Sequence, residues 1–344
     1  MRARFVLLGL ILALVAPFLV PGSTPPIAGG LAVLEQVPVN GTRQWVLIRA
    51  ENPANPVVLF VHGGPGAAQL TLNRVNTRAL EKRFTVVNWD QRRAGKSFAA
   101  PEAPAGIDTY VDDIIDLSAY LAQRFHQKRV LLVGHSWGSA IGVLAVQKRP
   151  DLFSGYVGVG QMSRAAESES LSYQRTLEEA ERTGDEGTVE ALRKIGPPPY
   201  DGDWAGKFLT ERKAVARTRG EVYGSTSGAV GMVLKNLIVS REYTMADRLN
   251  YFRGIVLSGK ALGPEIMRLD LFAQAPRLAV PVWFCLGRHD REVPSELAAR
   301  YFDALQAPSK QLVWFEQSAH MINSEERDKF NALLIETVLP AVRG

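Results

Sequence analysis

The residues of this chain best suited to covalent chemistry are those of the motif GHSWG, at positions 134–138. This G-x-S-x-G sequence lies between the apolar run RVLLVGHS (129–136) and the stretch WGSAIGVLAVQKR, which has helical patterning. A sharp strand-to-helix turn leaves no room for side chains at the two glycines and lifts the serine hydroxyl above the sheet. The sequence therefore predicts Ser136 as the nucleophile of an acyl-transfer reaction.

A serine hydroxyl is a poor nucleophile until a base takes its proton, so one of the five histidines should lie beside it. His320 follows the last predicted strand and precedes the last helix, which is where a sheet of this kind delivers its base. We therefore expect His320 to be the base. The other four have simpler interpretations: His62 opens a glycine-rich loop, His126 ends a helix, His135 lies inside the turn with its ring directed away from Ser136, and His289 adjoins an acid candidate.

The third member of such a triad is an acid, expected between Ser136 and His320 in chain order and at a strand end. Asp290 closes the apolar run PVWFCLG and meets both conditions. Its role would be to fix the imidazole tautomer and to stabilise the imidazolium that forms. Glu316 is the alternative, but it lies only four residues before His320, which favours a place on the surface at a strand end.

Backbone amides must stabilise the oxyanion of the tetrahedral intermediate. One is predicted to be the N–H of Trp137, directly after the nucleophile. The other is predicted in the loop HGGPG (62–66), where glycines let the backbone approach the substrate closely, and Gly64 is our choice there.

The elements that must position these residues alternate between short apolar runs and amphipathic helical stretches. That alternation predicts an α/β fold with a mostly parallel, doubly wound sheet. The segment from 163 to 271 lacks a convincing strand and is predicted to be a helical cap inserted between two parts of the core, 25–162 and 272–344. The predicted strands are 45–50, 56–64, 83–90, 129–136, 155–161, 281–290 and 310–316.

Composition narrows the classes of function. Hydrophobic residues make up 46% of the 344 positions, enough for a large core. The net charge is +5, but basic and acidic residues are interleaved, so the sequence predicts no nucleic-acid surface. Cys285 is the only cysteine and lies in an apolar run, so we expect a buried thiol, no disulfide and no Cys/His zinc site.

The amino terminus has the pattern of a membrane anchor or a signal segment. Arg2 and Arg4 precede a nearly unbroken apolar stretch from 5 to 20, followed by the spacer PGSTPPIAGG. We expect residues 1–24 to be an uncleaved anchor, with the catalytic domain outside the cytoplasm and the spacer as a semi-rigid tether. A cleaved, secreted form is the alternative.

Three segments, HGGPG, WDQRRAGKS and GHSWGS, resemble in order and spacing the prolyl iminopeptidase branch of the α/β-hydrolases. The resemblance covers roughly 44–150 and 280–320. It implies cofactor-free hydrolysis through an acyl-enzyme, a helical cap over the site, and release of amino-terminal residues, often proline, from small peptides. Two features depart from the family: Arg93 stands where its usual D-Q-R-G-x-G-x-S has glycine, and the cap has no tryptophan-glutamate element to hold the substrate amine.

Because of the second departure, the substrate stays open between a small peptide and an ester. Glu242 is one candidate ligand for the amine, although a carboxylate at the start of a helix is its simpler interpretation. A membrane-tethered esterase or amidase would use the same catalytic residues. A catalytically silent binding domain is the alternative from another class, but such a domain has no use for a complete Ser136–Asp290–His320 set. The oligomeric state stays open.

Overall fold

The computed structural model describes residues 22–99 and 106–343. Its centre is an eight-stranded sheet in the order β1-β2-β4-β3-β5-β6-β7-β8. β1 pairs antiparallel with β2 and β2 with β4, and every later pairing is parallel, as predicted for the core. The strands are β1 Leu31–Val39, β2 Thr42–Ala50, β3 Val57–Val61, β4 Thr85–Trp89, β5 Val130–His135, β6 Phe153–Val159, β7 Val282–Gly287 and β8 Lys310–Phe315.

Helices cover both faces of this sheet and fill the interval between β6 and β7. The α-helices are α1 Leu70–Asn76, α2 Ile107–Arg124, α3 Trp137–Lys148, α4 Ala165–Thr183, α5 Glu186–Ile195, α6 Trp204–Arg217, α7 Ala229–Val239, α8 Met245–Ile266, α9 Leu271–Gln274, α10 Ser295–Ala304, α11 Ile322–Glu325, α12 Arg327–Ala332 and α13 Leu339–Val342. A π-helical stretch, Leu333–Val338, joins α12 to α13. Within the described ranges, none of these helices is both long enough and apolar enough to cross a bilayer.

The central strands are buried on both faces because they are continuously apolar. All residues of β3, β5 and β7 are buried. Successive residues contribute to different cores: Val57, Leu59 and Val61 pack on one face of the sheet, and Val58 and Phe60 on the other. This alternation follows from the two-residue period of a strand, and it fixes the register of the sheet that carries the site.

The chain leaves the sheet after β6 and returns before β7, and helices α4 to α8 lie in this insertion. Its two ends meet at a short antiparallel bridge, where Leu271 N donates to Ser163 O (2.7 Å) and Ala165 N donates to Leu269 O (3.0 Å). The insertion therefore starts and ends at one point beside the sheet. The division of the chain into core and cap domains remains a prediction.

Two features of the amino-terminal region differ from the sequence analysis. β1 was not predicted, because it follows the Pro/Gly-rich spacer and contains Pro38, a residue suited to an edge strand. The spacer is also not a free tether in its described part: Ser23 N donates to Arg241 O (2.9 Å), and Arg49 Nη1 donates to Pro25 O (2.6 Å). The anchor was predicted over residues 1–24, and residues 1–21 of it lie outside the described residues.

The loop after β4, residues 90–97, joins the core to the insertion. The Asp90 carboxylate accepts a hydrogen bond from the Tyr243 hydroxyl (2.6 Å), and Lys96 Nζ pairs with Asp247 in the first turn of α8 (2.8 Å). At the other side of the loop, Arg92 makes two 2.6 Å hydrogen bonds to the buried Asp113 of α2. The loop that resembles a family motif is thus the place where the core contacts the insertion.

Candidate active site

Ser136 lies at the turn between β5 and α3, in a conformation that non-glycine residues rarely adopt. Its φ is 53° and its ψ is −122°. Gly138 packs so closely on β3 that an added Cβ would collide with the carbonyls of Val61 and His62. The glycine is required by this close approach, and the strained serine is held by Ser136 N, which donates to Val159 O (2.9 Å).

His320 and Asp290 form a buried pair on neighbouring strand ends. His320 Nδ1 lies 2.8 Å from Asp290 Oδ2, while Asp290 Oδ1 accepts the N–H of Val293 (2.8 Å) and of Glu292 (3.0 Å). His320 Nε2 is buried and has no hydrogen-bond partner within the described residues. A ring with Nδ1 bound to a fixed carboxylate and Nε2 unpaired has the arrangement that a general base requires.

The ring of His320 lies beside the nucleophile turn. Gly160, directly after Val159, leaves room for it: a Cβ there would lie 2.8 Å from His320 Cε1. Glu316, the other acid considered, is exposed and pairs with Arg288 (2.8 Å). The structure therefore brings Asp290, and not Glu316, to His320.

His135 has a contact that the sequence analysis missed. Its ring centroid is 4.8 Å from that of His320, and its Nε2 lies 3.1 Å from the His320 carbonyl oxygen. Gln69 Nε2 lies 3.2 Å from His135 Nδ1, which fits a neutral ring whose Nε2–H donates to that carbonyl. Burial lowers the pKa of His135 to about 3. His135 thus holds the backbone of His320, although its position in the motif carries no sequence signal for this contact.

The predicted oxyanion loop lies against the nucleophile turn. Gly63, rather than Gly64, is the residue packed on Ser136: a Cβ at Gly63 would lie 3.1 Å from the Cβ of Ser136. Gly64 follows with a φ of 122°, outside the range of ordinary L-residues. Trp137 is the first residue of α3, so its N–H belongs to the first turn of that helix, whose amides have no intrahelical acceptor.

Gln91 connects this loop to the turn. Its Nε2 donates to His62 O (2.7 Å), and its Oε1 accepts the indole N–H of Trp137 (3.1 Å). The backbone N–H of Gln91 donates to His62 Nε2 (3.1 Å), so Nδ1 of that ring donates to Gly63 O (2.7 Å). Burial lowers the pKa of His62 to about 4, which keeps the ring neutral in this role. His62 is therefore a loop-organising residue, as expected.

The electrostatic environment of His320 is strongly negative. Burial alone lowers the pKa of the imidazole, but Asp290, Glu292 and Glu221 outweigh this effect and raise the pKa to about 9. Glu221 belongs to the insertion, and its backbone carbonyl accepts the N–H of His320 (3.0 Å). Burial, reinforced by Glu292, raises the pKa of Glu221 to about 7.

The negative charge continues into the insertion. Glu211 is buried there and Glu169 is half-buried, and Arg212 pairs with Glu169. Burial raises the pKa of Glu169 to about 7, with Arg212 opposing the shift and Glu211 adding to it. Glu221 and Glu292 also interact electrostatically with Arg212, so four carboxylates act on this guanidinium. Once Glu169 and Glu221 are ionised the cluster has net negative charge, which is favourable for a bound cation.

Glu242, the amine ligand considered from the sequence, is occupied elsewhere. Its carboxylate is fully buried and pairs with Arg74 of α1 at 2.6 Å. A buried charge that already has a partner gains little from a second cation. The pair with Arg74 argues against Glu242 as the amine ligand, whereas the charge of Glu221 acts on His320. Sequence patterning could not find it, because its proximity to His320 depends on how the insertion folds back.

Comparison with known proteins shows the family to which this chain belongs. Residues 56–327 match the family model of the alpha/beta hydrolase fold, and the chain belongs to this family. A probable aminopeptidase, YbaC, of Bacillus subtilis (strain 168) is 33% identical over 307 residues, which cover 89% of this chain and 96% of that protein. The proline iminopeptidase of Heyndrickxia coagulans is 24% identical over 292 residues, covering 83% and 91%. The resemblance to the prolyl iminopeptidase branch is thereby confirmed.

Solved structures agree at the level of the fold. A proline iminopeptidase-related protein from Thermus thermophilus aligns with a TM-score of 0.62 at 18% identity, covering 90% of this chain and 99% of that chain. A 2-hydroxy-6-oxo-6-phenylhexa-2,4-dienoate hydrolase from a Rhodococcus species also gives 0.62, at 20% identity, covering 92% and 100%. One fold therefore accompanies different named activities, and the choice of substrate must be argued from the site.

Proposed function

We propose that this chain is a serine aminopeptidase that removes amino-terminal residues from small peptides. The observation that carries the proposal is the excess of carboxylates beside His320. An esterase acting on neutral acyl groups has no need for Glu221 and Glu292 at this place, whereas a free peptide amino terminus supplies the cation that both would hold.

In this proposal Ser136 Oγ attacks the carbonyl carbon of the first residue while His320 Nε2 takes its proton. The N–H groups of Trp137 and Gly64 stabilise the oxyanion, and Asp290 stabilises the imidazolium. The imidazolium then protonates the leaving peptide nitrogen, leaving the first residue as an ester on Ser136. Water, deprotonated by His320, hydrolyses that ester and regenerates the serine.

The pH dependence follows from two titrations. The base must be neutral, and with its pKa near 9 the imidazole of His320 gains activity as the pH rises through that value. The substrate amine must be protonated, and an α-amino group loses its proton at about pH 8. We therefore expect kcat/KM for a free-amine substrate to follow a narrow bell in the alkaline range.

The test compares a proline arylamide with a free amine, its N-acetylated twin and a short-chain aryl ester. We expect the free-amine compound to be cleaved at least about tenfold better than its twin, the value of a hydrogen bond to a charged group. Glu221→Gln and Glu292→Gln should raise KM for this compound by a similar factor and leave ester cleavage without a comparable loss. Glu178→Gln, an exposed glutamate of α4, is the control.

The alternative, an esterase or amidase, predicts equal cleavage of the free and acetylated compounds, and that result would overturn the aminopeptidase proposal while leaving the Ser136 mechanism in place. Absence of turnover with all three compounds, together with no labelling of Ser136 by a fluorophosphonate, would favour the silent binding domain.

We also propose that residues 1–24 attach the enzyme to a membrane with the catalytic domain outside the cytoplasm. The support is the apolar stretch behind two arginines. Amino-terminal sequencing of the membrane-bound and released fractions tests it. An intact terminus in the membrane fraction is expected, whereas a terminus near residue 25 in the released fraction alone would indicate a cleaved signal.

A further inference from the structure

The outer surface of helices α7 and α8 is apolar and exposed. Ile238 and Val239 at the end of α7 are 71% and 66% exposed, and α8 adds large side chains at helical spacing. Contiguous exposed apolar surface on a soluble domain marks a contact site. The outer cap face is defined by Leu234, Ile238, Val239, Leu249, Phe252 and Val256.

This face is not the core-facing side of the two helices. Their other sides pack together on the core beside the oxyanion loop, where Leu237 of α7 and Tyr251 of α8 share a buried cluster with Leu47 and Ala94. Both helices therefore have an apolar side that the fold already uses and a second apolar side that it does not. A surface helix that folds only against its own core has a polar outer side.

The exposed charges that residues 229–263 carry have one sign. Between residues 229 and 263 the acids are Glu242 and Asp247, and these are paired with Arg74 and Lys96. The exposed charges in this interval are all basic: Lys235, Arg241, Arg253 and Lys260. Apolar side chains rimmed by lysine and arginine are typical of surfaces that rest at the interface of an anionic bilayer.

The described chain begins at the same corner. Ser23 N donates to Arg241 O (2.9 Å), and Arg241 lies in the short link between α7 and α8. Residues 1–21, which contain the apolar stretch from 5 to 20, are joined to the protein here. If residues 5–20 insert into a membrane, that membrane therefore lies close to the outer cap face.

We propose that the outer cap face rests on the surface of a bilayer that contains anionic phospholipid. Charge argues against two other occupants. A second copy docked through the same face would bring the same basic residues together, and residues 1–21 carry Arg2 and Arg4 but no acid. Anionic headgroups provide the complementary charge, and the acyl region takes the apolar side chains.

The experiment places a fluorophore on the face of the full-length protein. Ile238→Cys and Phe252→Cys are each labelled with a thiol-reactive dye; the native Cys285 is fully buried and does not compete. Asp303→Cys is the control, because it is exposed on α10, which packs on β7 at the opposite end of the sheet. Quenching by the neutral solute acrylamide is measured before and after addition of vesicles of phosphatidylcholine with phosphatidylglycerol, and of phosphatidylcholine alone.

We expect vesicles with phosphatidylglycerol to reduce acrylamide quenching at 238 and 252 severalfold, because side chains seated in the interface are shielded from the aqueous quencher. The label at 303 should not change, and phosphatidylcholine alone should protect less. Protection of 238 and 252 before any vesicle is added would overturn the proposal, because a second copy or residues 1–21 would then cover the face. Unchanged quenching on vesicles that bind the protein would also overturn it.

Discussion

The core sheet and the helical insertion treat polar groups differently. Around the nucleophile, specific hydrogen bonds hold buried side chains in place, as in Arg92 with Asp113 or Gln91 between His62 and Trp137. The insertion instead groups Glu169 and Glu211 around the guanidinium of Arg212, and it exposes apolar side chains. The core thus fixes the geometry of a reaction, while the insertion carries unsatisfied charge and surface that a substrate and a partner can satisfy.

The largest expected effect tests whether the core alone carries the chemistry. Ser136→Ala should lower kcat by about 10⁴-fold or more on any accepted substrate, because no other group forms the acyl-enzyme. The melting temperature, followed by circular dichroism, should not fall, since the strained backbone at φ 53° stays in place. Ser170→Ala, an exposed serine of α4, is the control, and near-normal turnover by Ser136→Ala would refute the assignment.

The second test contrasts a buried acid with an exposed one. Asp290→Asn should lower kcat by about 10³- to 10⁴-fold, because the imidazole loses its tautomer control and its counter-charge. Glu316→Gln removes an exposed carboxylate that pairs only with Arg288 among its described contacts, and it should leave kcat within about twofold. Steady-state kinetics on one aryl ester measures both, and a reversed order would make Glu316 the acid.

The third test acts at the junction between the two regions. Tyr243→Phe removes the hydroxyl that donates to Asp90, and the free energy of unfolding should fall by about 1–3 kcal/mol. Burial raises the pKa of Asp90 to about 7, and the Tyr243 hydrogen bond opposes that shift by favouring the ionised form. The loss should therefore be larger at pH 8 than at pH 5. Urea denaturation at both values measures it.

The control for that junction is Tyr223→Phe, which alters an exposed tyrosine of the insertion stacked on His289. Its effect on stability should be small and independent of Asp90. A Tyr243→Phe loss that is equal at the two pH values would mean that Asp90 does not change its ionisation there.

The fourth test measures how strongly the carboxylate of Glu292 acts on the pKa of His320. Glu292→Gln removes a carboxylate that helps to raise the pKa of His320 above its ordinary value. The rising limb of the pH profile should move to lower pH, and ester cleavage at pH 7 should increase about threefold to tenfold. Glu296→Gln, exposed on α10, is the matched control. A profile that does not move would show that Glu292 is screened from the imidazole.

The smallest effect concerns backbone strain in the junction loop. Arg93 has a φ of 61°, at the position where the family motif usually has glycine. Arg93→Gly should relieve a left-handed residue and raise the free energy of unfolding by up to about 1 kcal/mol. Thermal unfolding measures this, and a clear loss of stability would mean that contacts of the arginine side chain outweigh the strain.

The same contrast explains what the sequence could predict. Ser136 was identifiable because an apolar strand, a glycine-flanked turn and a helix are all local patterns, and Asp290 followed from chain order and a strand end. Glu221 was not identifiable, because its place beside His320 depends on long-range packing of the insertion. The pairing of Glu242 with Arg74 was not predictable for the same reason, since Arg74 lies far away in the chain. β1 was not predicted, because it contains Pro38 and follows the Pro/Gly-rich spacer.

One contact between the two regions has a mechanical consequence. Gly66, at the end of the oxyanion loop, touches Gly254 of α8 backbone to backbone: a side chain at Gly66 would collide with the Gly254 carbonyl, and one at Gly254 with the Arg93 carbonyl. No compressible layer of side chains separates helix from loop, so a small displacement of α8 passes directly to the loop that carries the Gly64 amide. If the outer side of α8 rests on lipid, lateral pressure in the bilayer becomes a force on the loop proposed to donate to the oxyanion, and turnover should respond to the surface on which the enzyme is seated.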